Sequence, residues 1–327
     1  MKKLLNDPVT LLDQSLDGFA AAHQDLVVLG AERKFVRRTR LKDGKVALLS
    51  GGGSGHEPLH AGFVGHGMLD AACPGQVFTS PTPDQMIEAA AAVDRGAGLL
   101  FIVKNYAGDV MNFQMGAEMS GRDVATVVTD DDVAVENSTW TSGRRGVAGT
   151  LVVEKIVGAA AERSMALEDL RDLGQQVNER TRSFGIALTP CTVPAAGKPT
   201  FLLGPDEMEV GVGIHGEPGR RRSKLGSADA IAEEMLGAIL GDLAPRAGSE
   251  CLLLVNGFGG TPLMELYLMV NAARRILAGR GMAVTRHLTG SLVTSLDMAG
   301  CSLTVTVLDE RLARLWDAPV KTAALSW

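Results

Sequence analysis

No stretch of this chain approaches the roughly 20 consecutive apolar residues that a membrane span needs. The opening Met1-Lys2-Lys3-Leu4-Leu5-Asn6-Asp7-Pro8 has two lysines but no apolar segment of secretory length. These absences predict a cytoplasmic protein with no membrane partner. Cysteine is sparse: Cys73, Cys191, Cys251 and Cys301 lie far apart and form no Cys-x-x-Cys. They read as reduced, buried thiols. His, Asp and Cys nowhere take zinc-ligand spacings, so no metal is expected on this chain. Positive charge is also short. A net charge of −6 argues against a nucleic-acid partner. The one basic run, Arg220-Arg221-Arg222 with Lys224, reads as a solvated loop.

What remains is an ordinary soluble mixture, 46% hydrophobic and 21% charged, over 327 residues. That length suggests about two domains. Strand-like runs at 46–49, 99–103 and 124–128 alternate with helical patterns at 84–95, 109–119, 146–163 and 167–182. Thr82 is placed to cap the first of these helices, with Pro83 at its first position. Beyond 183 the character changes. A strand at 184–190 leads into an irregular Pro/Gly-rich stretch at 191–199, then a strand pattern at 209–215. Helices at 227–240 and 263–278 are interleaved with strands at 251–255, 283–288 and 302–308. The pattern predicts an α/β protein of two lobes, 1–183 and 184–327, with largely parallel or mixed sheets and a substrate cleft.

The chemistry-bearing segments sit just past strands. Ser50-Gly51-Gly52-Gly53-Ser54-Gly55-His56-Glu57-Pro58 follows the first apolar run. Glycines there let backbone N–H groups approach a small ligand, at the strand end where open α/β sheets bind ligands. A phosphate-cradling Walker loop needs a lysine that this loop lacks. It carries His56 and Glu57 instead. Gly211-Val212-Gly213-Ile214-His215-Gly216 formally fits Gly-x-Gly-x-x-Gly, but Glu217-Pro218-Gly219 follows where a helix should begin, so dinucleotide binding is weakly supported. The two segments echo each other: each puts a histidine and Glu-Pro just past a strand, as two loops facing one ligand would. His215 is either a packed histidine at a strand end or a nucleophile or acid–base group. Ser80 is either a turn and capping residue or a hydroxyl for a ligand oxygen. Lys104 and Asp109 follow the apolar run 99–103 and are placed to donate to, and take a proton from, a ligand hydroxyl. Asp130-Asp131-Asp132 reads as an acidic loop or, less simply, a Mg²⁺ site beside a phosphate. Together these groups describe a cleft enzyme for a small polyhydroxylated or carbonyl compound. A nucleotide-dependent oxidoreductase is the rival from another class.

Five motifs in order add a resemblance. The glycine loop, Phe78-Thr79-Ser80-Pro81-Thr82-Pro83-Asp84, Val103-Lys104-Asn105-Tyr106-Ala107-Gly108-Asp109, the segment 211–219, and Trp316-Asp317-Ala318-Pro319 together resemble the dihydroxyacetone-binding K subunits of dihydroxyacetone kinases. The resemblance implies phosphorylation of dihydroxyacetone, with His215 bonding the carbonyl carbon as a hemiaminal. It implies that the Gly53 backbone, Ser80 and Lys104 hold substrate oxygens, that Asp109 is the general base and that His56 assists proton transfer. Trp327 follows soon after the fifth motif, and the resemblance is to the phosphotransferase-system type, in which no nucleotide-binding domain is expected on this chain. There a separate L subunit carries ADP and Mg²⁺, and an M subunit rephosphorylates it. No cofactor is then expected on this chain, and a homodimer is implied. A dihydroxyacetone-sensing regulatory paralogue and a kinase subunit for erythrulose are the alternatives within the family.

Overall fold

The structure, a computed structural model, describes residues 2–135 and 141–327. Helix α1 (Leu11–Ala22) precedes a six-stranded sheet. Its strands are β1 (Val27–Leu29), β2 (Val36–Arg38), β3 (Ala47–Ser54), β5 (Ala71–Val77), β6 (Leu99–Lys104) and β7 (Val124–Thr129), in the order β1-β2-β5-β3-β6-β7. The short β4 (Gly65–His66) stands apart. The pairs β3–β5, β3–β6 and β6–β7 are parallel. Helices α2 (Pro83–Val93), α3 (Ala107–Ser120), α4 (Gly149–Glu162) and α5 (Leu167–Glu179) cover this sheet. Thr82 does cap α2: its N–H donates to the Gln85 side chain at 2.9 Å, half of a capping box.

The second sheet has the order β10-β9-β8-β13-β11-β12. Its strands are β8 (Thr181–Ala187), β9 (Glu207–Val210), β10 (Arg221–Lys224), β11 (Glu250–Gly257), β12 (Ala283–Gly290) and β13 (Gly300–Leu308). Helices α6 (Ala228–Leu243) and α7 (Leu263–Gly279) pack against it. Only β11–β12 is parallel here; the remaining pairs are antiparallel. After α8 (Glu310–Trp316), β14 (Lys321–Thr322) returns to the first lobe and pairs with β4.

Several sequence-based boundaries shift for identifiable reasons. The helix expected over 167–182 ends at Glu179, and β8 begins at Thr181, so position 183 falls inside a strand of the second sheet. The strand expected over 209–215 stops at Val210, because Gly211 takes φ +83° and turns the chain. His215 therefore sits in a turn rather than at a strand end. The basic run is not a free loop: Arg221–Lys224 form the edge strand β10, a place that tolerates exposed charge.

Every residue of α4 from Gly149 to Ala161 is buried. It packs against β3, β6 and β7 of the first sheet and against β8 and β13 of the second. One apolar cluster consequently joins Leu48 and Ile102 to Val153, Ile156, Leu252 and Leu254. The acidic run builds this junction. Asp131 accepts from the N–H groups of Val147 at 2.9 Å and Gly149 at 2.7 Å, Asp132 accepts from Arg145 Nε at 2.8 Å, and Asp130 accepts from Asn178 at 2.7 Å.

The segment after β12 also crosses to the first lobe. Thr294 N–H donates to His56 O at 3.2 Å, Leu296 N–H to Gly55 O at 2.9 Å and Thr294 Oγ1 to Glu57 O at 3.0 Å. Asn256 pins that segment. Its Oδ1 accepts from the N–H groups of Leu292 and Val293 at 2.9 and 2.8 Å, and its Nδ2 donates to Val293 O at 2.7 Å. Each buried polar group left unpaired costs about 1–3 kcal/mol. Asn256→Ala is therefore expected to lower the unfolding free energy by at least about 2 kcal/mol in urea denaturation. A loss within about 0.5 kcal/mol, ordinary for surface changes, would show that Asn256 does not hold this segment.

Candidate functional site

The parallel strands β3, β5 and β6 deliver their carboxyl ends to one cleft, as open α/β sheets do. Gly53 comes from the end of β3, Ser80 from the loop between β5 and α2, and Asp109 from the first turn of α3. A carboxylate in a helix's first turn also complements the helix dipole. The second lobe contributes His215, carried by a turn closed by the Gly216 N–H on Gly213 O at 3.0 Å. The resulting cavity of about 580 Å³ is lined by Gly53, Ser80, Tyr106, Asp109, Thr200 and His215, among others.

His215 is enclosed by rings. His56 lies edge-on at 4.7 Å, Tyr106 at 4.7 Å and Phe78 at 5.2 Å between centroids. Phe78 also stacks on His56 at 4.8 Å. The Glu217 carboxylate sits beneath His215. It accepts from the His215 backbone N–H at 2.8 Å and from the Tyr106 hydroxyl at 3.3 Å, and lies 3.7 Å from His215 Nδ1. Burial alone would raise this carboxyl; the imidazole of His215, and after it Arg145, outweigh burial and hold it at about 2. An ionised carboxylate beside Nδ1 favours the proton on that nitrogen. Nε2 is then the lone-pair nitrogen, the form a nucleophile requires.

His56 is buried and its Nδ1 lies 2.7 Å from Thr294 O. A carbonyl only accepts, so Nδ1 carries the proton and Nε2 is a free base. Among the described residues that Nε2 has no hydrogen-bond partner. Burial keeps this imidazole well below its ordinary pKa, hence neutral.

Behind Asp109 lies Lys104, 1% exposed. Its ammonium meets Asp109 Oδ2 at 3.1 Å, His60 Nε2 at 3.0 Å and Gly51 O at 3.2 Å. Three donors meet three acceptors. Lys104 thus stands one layer back from the cavity wall, while Gly53, Ser80, Asp109 and His215 form that wall. The glycine loop is shaped by the same contacts: a Cβ on Gly52 would fall 2.2 Å from Lys104 Nζ.

The Dak1 domain family matches residues 17–324. The chain belongs to the Dak1 family. Over 99% of its length it is 49% identical to the PTS-dependent dihydroxyacetone kinase 1, dihydroxyacetone-binding subunit DhaK, of Listeria innocua, covering 100% of that protein. Among solved structures, the dihydroxyacetone kinase of C. freundii superposes with TM-score 0.89 at 34% identity, over 98% of this chain and 60% of that one. The dihydroxyacetone kinase operon co-activator Dha-DhaQ superposes with TM-score 0.90 at 33% identity, over 95% of this chain and 97% of that one.

The Dak1 motifs do not name every residue that shapes the cleft. Glu217, Tyr106, Thr294, Arg145, His60 and Glu154 hold the candidate groups without having been singled out as candidates. Glu217 and Tyr106 lie inside the motifs. Glu154 and Lys155 had one visible signal, two charges amid the apolar run of α4. Glu154 Oε1 lies 2.7 Å from His60 Nδ1, and burial pushes its carboxyl from an ordinary 4.5 up to about 8 despite the nearby Lys104 charge.

Between those two values the folded chain holds a proton that the unfolded chain has lost. Glu154 therefore contributes fully to stability below pH 4.5 and loses that contribution as pH rises to about 8. Glu154→Gln removes the titration. The wild-type melting temperature is expected to fall relative to that of the variant across this window. A difference independent of pH would show that Glu154 does not titrate so high.

Proposed function

We propose that this chain is the dihydroxyacetone-binding subunit of a kinase fed by the phosphotransferase system, receiving its phosphoryl group from a nucleotide on a separate L subunit. One observation carries the reading: His215 from the second lobe meets Asp109, Ser80 and Gly53 from the first around one cavity. Identity at 49% to a DhaK subunit along the whole chain supports it.

In this reading neutral His215 adds through Nε2 to the ketone carbon. A C–N bond forms, the C=O π bond becomes a C–O–H, and the proton lost at Nδ1 balances the one gained on oxygen. Glu217 stabilises the transient positive charge on the ring. The Gly53 N–H and Ser80 hydroxyl hold substrate oxygens. Asp109 takes the proton of a terminal hydroxyl as that oxygen attacks phosphorus, and ADP leaves on the L subunit with its Mg²⁺. Lys104 holds Asp109 through its Oδ2 before transfer. His56, with a free Nε2 beside His215, assists proton movement to and from the adduct. Such addition is weak in water and depends on fixed orientation, which the ring enclosure of His215 provides.

Two variants separate the steps. His215→Ala is expected to abolish the mass increment of one bound triose in intact-protein spectra; an increment that survives assigns the adduct elsewhere. Asp109→Ala is expected to keep the adduct while lowering kcat by about 10²–10⁴ when the chain is mixed with a phosphorylated L subunit. Wild-type turnover in that variant sinks the assignment of the base. In the same assay, binding of dihydroxyacetone without turnover by the unaltered chain would instead identify a sensor. Faster use of erythrulose in direct competition would change the substrate.

A further inference from the structure

Lys104 presents a problem of its own. A lysine ammonium is a mobile point charge on a four-carbon stem, yet here it is fully enclosed and aimed at Asp109. We infer that His60 and Glu154 are positioning residues for phosphoryl transfer: Glu154 fixes the tautomer of His60, and His60 pins the Lys104 ammonium against Asp109. This rests on the assignment of Asp109 as the base.

The tautomer follows from donor arithmetic. An ammonium has no acceptor, so His60 Nε2, 3.0 Å from Lys104 Nζ, must offer a lone pair. The ring proton is then on Nδ1 and faces Glu154 Oε1 at 2.7 Å. Ser50 Oγ is 3.0 Å from the same Nδ1, but its own proton is engaged with Ile102 O at 2.6 Å. Burial and then the Lys104 charge keep His60 from protonating, as an acceptor for an ammonium requires.

The arrangement is expensive if it serves packing alone. Glu154 stands on the wholly buried face of α4, and its Oε2 has no partner among the described residues. Leaving a carboxyl group half-satisfied in a core costs free energy that an apolar residue would avoid. Gly52 points the same way, because any side chain there would enter the space of Lys104 Nζ and, at 3.4 Å, touch His60 Nε2. The relay also explains how Lys104 stays hydrogen-bonded through the reaction. Once Asp109 has taken the substrate proton it no longer balances the ammonium, whereas His60 and Gly51 O still accept from it.

The experiment compares amide replacements in the full chain assayed with the phosphorylated L subunit. His60→Gln can place an oxygen near the position of Nε2 and keep an acceptor for Lys104. His60→Asn reaches only the Nδ1 side and loses it. We expect His60→Asn to lower kcat by about tenfold to a hundredfold, with KM for dihydroxyacetone changed less than about threefold, and His60→Gln to restore most of kcat. Glu154→Gln should keep near-normal kcat and Glu154→Leu should not; this pair carries the test if His60→Asn does not fold. A folded His60→Asn protein with wild-type kcat, or equal losses in His60→Asn and His60→Gln, overturns the positioning role. Asp109→Ala is run alongside. If it alone loses kcat, only the relay is wrong; if it turns over normally, the base assignment falls and the relay with it.

Discussion

Helix α4 is closed to solvent on every side from Gly149 to Ala161, and the cleft exists because of that constraint. The two sheets do not merely adjoin; both lie on the same helix and share one apolar cluster. Separating the lobes would open a close-packed interior. The placement of His215 relative to Asp109 is therefore set by core packing rather than by a linker. The bonds from Thr294 and Leu296 to the Gly55–Glu57 backbone then lock the glycine loop to the second lobe. Reactive groups held this way keep their geometry without cost at the moment of reaction.

The same packing decides ionisation. Histidine and glutamate each occur here in contrasting electrostatic settings. His56 and His60 are buried beside positive charge and stay neutral. Glu217 is just as buried, but His215 and Arg145 hold it ionised; Glu154, facing a neutral imidazole, is pushed up to about 8. Environments that drive like groups apart in pKa are how acid and base roles are assigned within one site. In the proposed reading, the anionic Glu217 beneath His215 is the counter-charge for the cation that attack by the ring creates.

Much of this was legible in the chain. The first lobe announced itself because β3, β6 and β7 are apolar runs followed by glycine, lysine or aspartate, and local pattern suffices for such parallel strands. The first-lobe motif residues pointed at the cleft for the same reason: Gly53, Ser80 and Asp109 stand at or just past the carboxyl ends of its strands. What pattern could not show was conformation and distance. Val210, Val212 and Ile214 alternate like a strand, yet a positive φ at Gly211 ends it. Arg221–Lys224 carry a loop's composition because an edge strand faces water on both sides. The start of β8 hid behind the polar pair Thr181-Arg182, which extends the helical pattern of α5. Glu154, Arg145 and Thr294 lie far in sequence from the groups they hold, so only the fold brings them together.

The size of the cleft bears on what it can select. About 580 Å³ is the range of pockets that enclose drug-sized molecules, more than a three-carbon ketone fills. Shape alone cannot then reject a polyol of similar length, since an extra or missing hydroxyl in a roomy site discriminates weakly. Selection by the covalent bond proposed for His215 has no such weakness. An imidazole that must add to a carbonyl passes over any compound that lacks one, whatever its size. In the proposed reading the bond also converts a loosely contained molecule into one pivoting about a single carbon, so that the Gly53 N–H and Ser80 need only fix its rotation to bring one hydroxyl to Asp109. On that reading the remaining volume is left for the incoming phosphoryl group, and a wide cleft becomes compatible with a small substrate.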